Sequence, residues 1–433
     1  MKKKLLERRT GITLIALIIT IIVLLILAGV SISLVVGDNG VVNYATKSSE
    51  ETRGARVEEE KDSWKTELFA NQHTDKSTSK SLEELLTDLR ENGLLSRDEE
   101  EFVLENGYIE IGSRTIEFIK IPFISECTDN TMFKNNSNTI ARDELNNKIV
   151  IPTGFKVLID DSTEYTDKSS PKVYEGIVIQ DESGNEFVWI ACGEIKTPSS
   201  VYNIELNRYT FDSSTGAATK VDDSIINELY QESDEITTAT YNIEDFKESV
   251  KTYGGYYVGR YEAGYGGTIE YNGDTLRIPL SQKTNRVFQT SESVNLTVGS
   301  LWSNVPKNIA EIACSNLYVN SSIHSNLMNS YAWDTMLCFI QLTAGNEYSI
   351  NNNIGNINTN YNILNTGETT DIACNIYDVA DNLAEFTTES YLEEGSIKSV
   401  RRGGYCVNDS LVASSRSAAT SGYCNGFRIL LFL

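Results

Sequence analysis

Residues 12–36, ITLIALIITIIVLLILAGVSISLVV, carry no charged side chain and directly follow the basic leader MKKKLLERRTG. A helix needs about 20 apolar residues to cross the hydrocarbon core of a bilayer. This run is long enough, and no other stretch of the chain approaches it. It predicts a transmembrane helix over 12–36, with Lys2, Lys3, Lys4, Arg8 and Arg9 on the inner side. The remainder of the chain is then expected outside the cell, as an extracellular C-terminal part on a hydrophobic anchor.

At 433 residues the chain has room for more than one domain. Its formal net charge is −24, and the leader is itself basic, so the part beyond the membrane is more acidic still. Phosphate binding needs clustered Lys and Arg. Nucleic acid is therefore excluded as a partner, and the charge is read as keeping an exposed protein soluble.

Seven Cys are scattered at 127, 192, 314, 338, 374, 406 and 424, with no CxxC. Zinc-ribbon and thioredoxin chemistry have no support in that spacing. Disulfides are compatible with an outside location, but the pairing stays open. His73 and His324 are the only histidines, too few for a multi-His iron or zinc site. The chain also lacks a G-x-S-x-G elbow, a Walker loop and a G-x-G-x-x-G turn.

Composition divides the chain. Residues 37–70 open with Gly-Asp-Asn-Gly and continue as a charged, helix-prone extension with Val57, Trp64, Leu68 and Phe69 as apolar anchors. Residues 71–80 read as a polar linker. Ser81 and Glu84 fit a capping box before Leu82, Leu85, Leu86 and Leu89, which share one helical face. Short alternating runs, Tyr108–Ile111 and 115–119, then suggest a small α+β module over 71–150. From 151 onward, short strands such as 157–159, 176–179 and 186–190 lie among Asn, Ser, Thr and Gly. Residues 195–250 read as a polar insertion with one helix over about 223–230.

The leader resembles a type IV prepilin signal. The resemblance rests on Arg8-Arg9-Thr10-Gly11 followed by Ile12-Thr13-Leu14-Ile15. It implies cleavage by a prepilin peptidase between Gly11 and Ile12, with the apolar stretch kept in the mature protein, unlike a secretory signal. Pilins usually carry Glu at the fifth mature position, where this chain has Ala16. That departure suits a tip or minor subunit that meets other pilin subunits without repeated polymerisation. A plain signal anchor is the alternative.

The C-terminal half resembles the formylglycine-generating enzyme (sulfatase-modifying factor) family. Four blocks carry the resemblance in order: 256–262 (YYVGRYE), 376–387 (IYDVADNLAEFT), 400–404 (VRRGG), and Arg416-Ser417-Ala418 with Gly426-Phe427-Arg428-Ile429. It implies a C-type-lectin-like, loop-rich domain over 151–433. Asn382, Glu385, Arg402, Gly403, Gly404, Arg416, Gly426, Phe427 and Arg428 fall in these blocks and are expected to be scaffold. Arg side chains can fork onto carboxylates and carbonyls and so pin long loops. Gly403 and Gly404 give the backbone freedom to bend.

The oxidases of that family hold copper with a closely spaced Cys pair after the Gly-Gly. Here Cys406 falls one position early, the matching second position is Leu411, and the next thiol is Cys424. Neither a catalytic residue nor a metal ligand is expected, and no cofactor, with a structural calcium left open. Residues 405–425, YCVNDSLVASSRSAATSGYCN, contain no Lys, Glu, Gln, Met or Trp. They are rich in types reached by changing the first two bases of AAC or AAT. This resembles the variable C-terminus of retroelement-diversified proteins, which lies between RGG and GFR on the same scaffold. Tyr with Ser and Asn suits adaptable recognition. Tyr405, Cys406, Val407, Asn408, Asp409, Ser410, Tyr423, Cys424 and Asn425 are the expected contacts for a surface protein or glycan ligand.

The expected fold class is α+β: leader 1–11, transmembrane helix 12–36, helical extension 37–70, small module 71–150 and lectin-like domain 151–433. The expected function is a surface-displayed, adhesin-like ligand-binding protein. An exported copper oxidase and a structural minor or tip pilin are the alternatives.

Overall fold

The computed structural model describes residues 18, 19, 21–25, 41–72, 81–119, 121–135, 137–221, 230–232, 243–284, 286–289, 297–319, 321–352, 354, 363–393, 396–405, 411–418 and 425–433. The chain is α+β and forms two compact units, Met1–Ile121 and Pro122–Leu433. Among the described residues no helix is long and apolar enough to cross a membrane. Of the expected span 12–36, residues 18, 19 and 21–25 are described, and they are helical and exposed. The rest, with the processing pair Gly11 and Ile12, lies outside the described residues. The transmembrane helix thus has no support in the structure.

In the first unit, helix α1 (Val41–Gln72) is followed by α2 (Leu82–Glu91) and α3 (Arg97–Asn106). Both short helices start with a capping box. Ser81 Oγ accepts from the Glu84 amide at 3.1 Å, and the Glu84 carboxylate accepts from the Ser81 amide at 2.8 Å. Two otherwise unpaired amides at the helix start are satisfied this way. Strands β1 (Tyr108–Ile111) and β2 (Arg114–Glu117) form a hairpin in which Ile109 faces Ile116. Val57 and Trp64 of α1 join Leu86, Val103, Ile111 and Phe118 in one core. Arg53 of α1 donates to Glu50 and Glu99, at 2.7 and 3.0 Å.

The first unit ends well before residue 150, the expected limit of the module. Ile124, Cys127, Ala141 and Ile149 pack into the core of the second unit, so the segment up to 150 belongs there.

The two largest sheets of the second unit have six and five strands among the described residues. The larger takes β3 (Phe155–Val157), β4 (Val178–Asp181), β5 (Glu186–Ala191), β7 (Gly255–Gly259), β8 (His324–Leu327) and β13 (Ile429–Phe432), in the spatial order β8-β13-β7-β5-β4-β3. All its pairings are antiparallel, with Tyr257 between Trp189 and Leu431. Every residue of β7 and of β13 is buried, as their unbroken apolar sequences require. The second sheet joins β6 (Tyr230–Glu232), β9 (Ala384–Glu393), β10 (Ser396–Arg402) and β11 (Arg416–Ala418), and β12 (Asn425–Phe427) runs parallel to β9. Helices α4 (Ile243–Tyr253), α5 (Lys307–Asn316) and α6 (Ser330–Ala344) complete the unit. A separate four-stranded sheet contains Gly264–Tyr271, Asp274–Leu280, Arg286–Gln289 and Ser300–Ser303.

Two local expectations change. Tyr230, expected to end a helix, starts strand β6, and 222–229 lie outside the described residues. The expected polar insertion also contains α4, which buries Phe246 and Val250 one turn apart.

Candidate functional site

Strand alternation sorts the residues of β10. Side chains on successive strand positions face opposite sides. Arg402 pairs across the sheet with Glu385 on one side and Arg416 on the other, whereas Arg401 pairs with Phe386 and Ser417. One face of these strands therefore carries Arg402, Arg416 and Glu385. The other carries Arg401 and Ser417.

On the first face, Asp334 of α6 is fully buried and salt-bridged by both Arg402 and Arg416. Asp334 Oδ2 also accepts from the Tyr209 amide at 3.0 Å. Arg416 Nε reaches Glu389 at 3.1 Å, and Arg208 pairs with the same carboxylate. Three guanidinium groups thus share two carboxylates between α6, β9, β10, β11 and the 208–209 segment. Removing one partner from such a buried pair costs about 3–5 kcal/mol, because it leaves the other charge uncompensated. Trp333 Nε1 donates to the Ala413 carbonyl at 3.0 Å, which ties the segment before β11 to α6.

A second buried network surrounds Arg428. Its guanidinium donates to Glu385 at 2.6 and 3.1 Å and to the carbonyls of Gly259 and Tyr377. Glu262 accepts from Asn382 Nδ2 at 2.6 Å and from the Leu383 amide at 2.8 Å. Asp378 accepts from Thr366, Thr369 and the Gly367 amide, and Asp371 from Tyr348 and the Ala380 amide. Burial raises the pKa of all four carboxyls, Asp371 to about 6 and Glu385 to about 7, with Arg428 opposing the shift of Glu385.

The segment linking these networks is conformationally unusual. Cys374, Asn375, Asp378 and Asn382 all have positive φ, between 48° and 62°. For residues other than Gly this needs support from the surroundings. The Asn375 amide donates to the Glu175 and Gly176 carbonyls, and Asn382 Oδ1 accepts from the Leu364 amide, so side chains supply it. Gly404 is required by close approach: a Cβ there would lie 1.9 Å from the Ala380 carbonyl oxygen.

The expected scaffold residues accordingly form one frame. Asn382, Glu385, Arg402, Gly403, Gly404, Gly426, Phe427 and Arg428 are buried, and Arg416 is 19% exposed. Of the expected ligand contacts, Tyr405 is half-buried at the end of the frame. Cys406, Val407, Asn408, Asp409, Ser410, Tyr423 and Cys424 lie outside the described residues. Asn425 departs from expectation: it is 4% exposed, because it sits in β12 paired with Ala384. Its Oδ1 accepts from Arg401 Nη1 at 2.9 Å. Arg401 also donates from Nε to Ser417 Oγ at 3.2 Å, and its guanidinium lies 5.2 Å from the centre of the Tyr405 ring. Arg401 is thus the described side chain that joins Tyr405, Ser417 and Asn425, and sequence reasoning missed it.

Burial pushes the thiol of Cys127 up to about 11 and those of Cys338 and Cys374 up to about 12. Cys192 and Cys314 move in the same direction, and all five are free. Such thiols are poor nucleophiles. His324 packs on Phe432 at 5.3 Å, and burial lowers its pKa. A cleft of about 430 Å³ lies against α4, where Lys247 covers the Tyr331 ring at 4.4 Å, and none of the expected site residues lines it.

No family model, curated protein or solved structure matches the chain.

Proposed function

We propose that this chain is a surface-displayed, adhesin-like binding protein. A prepilin-like helix over 12–36, processed at Gly11, anchors it in the membrane. A head resembling the formylglycine-generating enzyme family, with a C-type-lectin-like scaffold, carries the C-terminal binding loops. The supporting observation is the contrast at Gly404. Glu385, Arg402, Gly403 and Gly404 up to that point, and Ala413, Arg416 and residues 425–428 after it, belong to a frame in which Arg402, Arg416 and Arg428 pair with buried carboxylates. The segment 405–425, rich in Tyr, Asn and Ser, is entered through the half-buried Tyr405 and is tied to that frame at Ala413 and Arg416. A rigid frame that holds an adaptable loop is the arrangement antibodies use for recognition. Buried, raised thiols and the displaced Cys406 support binding rather than oxidase chemistry.

The test uses full-length protein in detergent, screened against arrays of purified bacterial and host surface proteins and glycans. Replacing Cys406–Ser410 and Tyr423–Cys424 with Gly and Ser is expected to abolish the selected binding while keeping the melting temperature. Unchanged binding by that variant would place recognition elsewhere and remove the basis for this function.

A further inference from the structure

We infer that Arg401 is the specificity-determining group of this surface and that it receives a carboxylate from an acidic side chain of a protein ligand. The inference rests on the proposed binding function.

Arg402 and Arg416, its neighbours in β10 and β11, and Arg428 between β12 and β13 each pair with a carboxylate of the chain. Arg401 pairs with none among the described residues, although the chain has 61 Asp and Glu. Its ties are neutral: the Ser417 hydroxyl, the Asn425 amide oxygen and the Tyr405 ring. They fix the plane of the guanidinium and leave its charge without a carboxylate among the described residues. Nε and one N–H of Nη1 are engaged, so Nη2 keeps two donors with no described acceptor. A planar fork held in this way is preorganised for a carboxylate, which accepts two parallel N–H groups.

The ligand class follows from two further observations. Tyr and Arg are, with Trp, the residue types enriched at protein-interface hot spots, and Tyr405 lies against the Arg401 guanidinium. The chain carries a net charge of −24. That field opposes polyanions such as nucleic acid or an anionic membrane, and acts over a Debye length of about 8 Å at physiological salt. A single carboxylate in a short acidic segment meets Arg401 at contact distance and escapes most of that repulsion.

The probe is the capped peptide acetyl-Gly-Glu-Gly-amide, with acetyl-Gly-Gln-Gly-amide as its neutral twin. Binding to the full-length protein in detergent is read by saturation-transfer NMR. The Glu peptide is expected to bind saturably, at least fivefold more tightly than the Gln peptide. Arg401→Gln should erase that preference with an unchanged melting temperature. Arg401→Lys should keep part of it, because the charge remains and the fork is lost. No saturable binding of the Glu peptide, or a preference that survives Arg401→Gln, would overturn the inference. If both peptides bind alike and Tyr405→Ala weakens both, the inference falls and the binding function stands. If the Glu preference depends on Arg401 but the loop-replacement variant retains all selected binding, the carboxylate site stands and the proposed function falls.

Discussion

Arg401 and Arg402 are adjacent on one strand and serve opposite faces of the sheet. Arg402, 1% exposed, is neutralised by Asp334 on the inner side, whereas Arg401 is half-buried and held by an amide oxygen, a hydroxyl and an aromatic ring on the other. One peptide unit separates a residue that holds the frame from one whose charge the frame leaves open. Substitutions at the two positions should therefore act on different observables.

Asp334→Ala strips two arginines of their shared carboxylate. It is expected to destabilise the second unit by about 3–5 kcal/mol. Arg401→Gln, which breaks no ion pair among the described residues, should cost less than about 1 kcal/mol. Urea denaturation of both variants beside the parent checks the pair. Equal losses would mean that Arg401 also supports the frame.

Gly404→Ala places a methyl group 1.9 Å from the Ala380 carbonyl oxygen, which backbone cannot yield without moving. A loss of about 1–3 kcal/mol or more is expected, as for overpacked sites. Tyr405→Ala, one residue on, removes the ring contact with Arg401 and should cost under about 1 kcal/mol. Thermal melts separate the two, and a Tyr405 variant as unstable as the Gly404 variant would assign the ring to the core.

Asp371 gives a pH signature. Its carboxyl is raised from the ordinary 3.8 to about 6, with burial as the main cause. The folded state therefore holds the proton more tightly than the unfolded chain. The stability this contributes is present below about pH 4 and is lost as pH rises through about 6. Asp371→Asn removes the titration, and its amide can still meet Tyr348 and the Ala380 amide. The parent should lose stability relative to this variant between pH 4.5 and 7.5, by up to about 2–3 kcal/mol. Urea midpoints at the two pH values read the difference directly, and a constant gap would show that Asp371 does not titrate in this window.

Processing is tested at the other end. The basic leader followed by Ile-Thr-Leu-Ile predicts that membrane-extracted protein begins at Ile12. Intact-mass measurement should show Met1–Gly11 removed, and its retention would reduce the segment to a simple anchor.

Where neighbours in sequence are neighbours in space, the fold was legible. Ser81 and Glu84, with Leu85, Leu86 and Leu89 behind them, announce α2 because capping and burial both act within a few residues. Phe246 and Val250 announce α4 in the same way, but the polar composition around them masked the pattern. The charge networks are of another kind. Asp334 meets Arg402 across 68 positions, and Glu262 meets Asn382 across 120. No local periodicity encodes such a meeting. Family-like blocks marked Arg402, Glu385 and Arg428 as scaffold without naming Asp334. Arg401 carried no signal beyond its place beside Arg402, since its role depends on which face of the strand it occupies.

Strand β13 lies between β8 and β7, so Leu431 pairs with Tyr257 in the middle of the larger sheet. Residues 405–425 come before that strand in the chain. A replacement there that keeps the reading frame leaves Ile429–Phe432 to close the sheet. A stop or a frameshift there deletes the strand, separates β7 from β8 and leaves their edges bare. The order of the chain thus makes closure of the larger sheet a check on intact translation: changes within 405–425 are compatible with the fold only on chains that continue through Phe432.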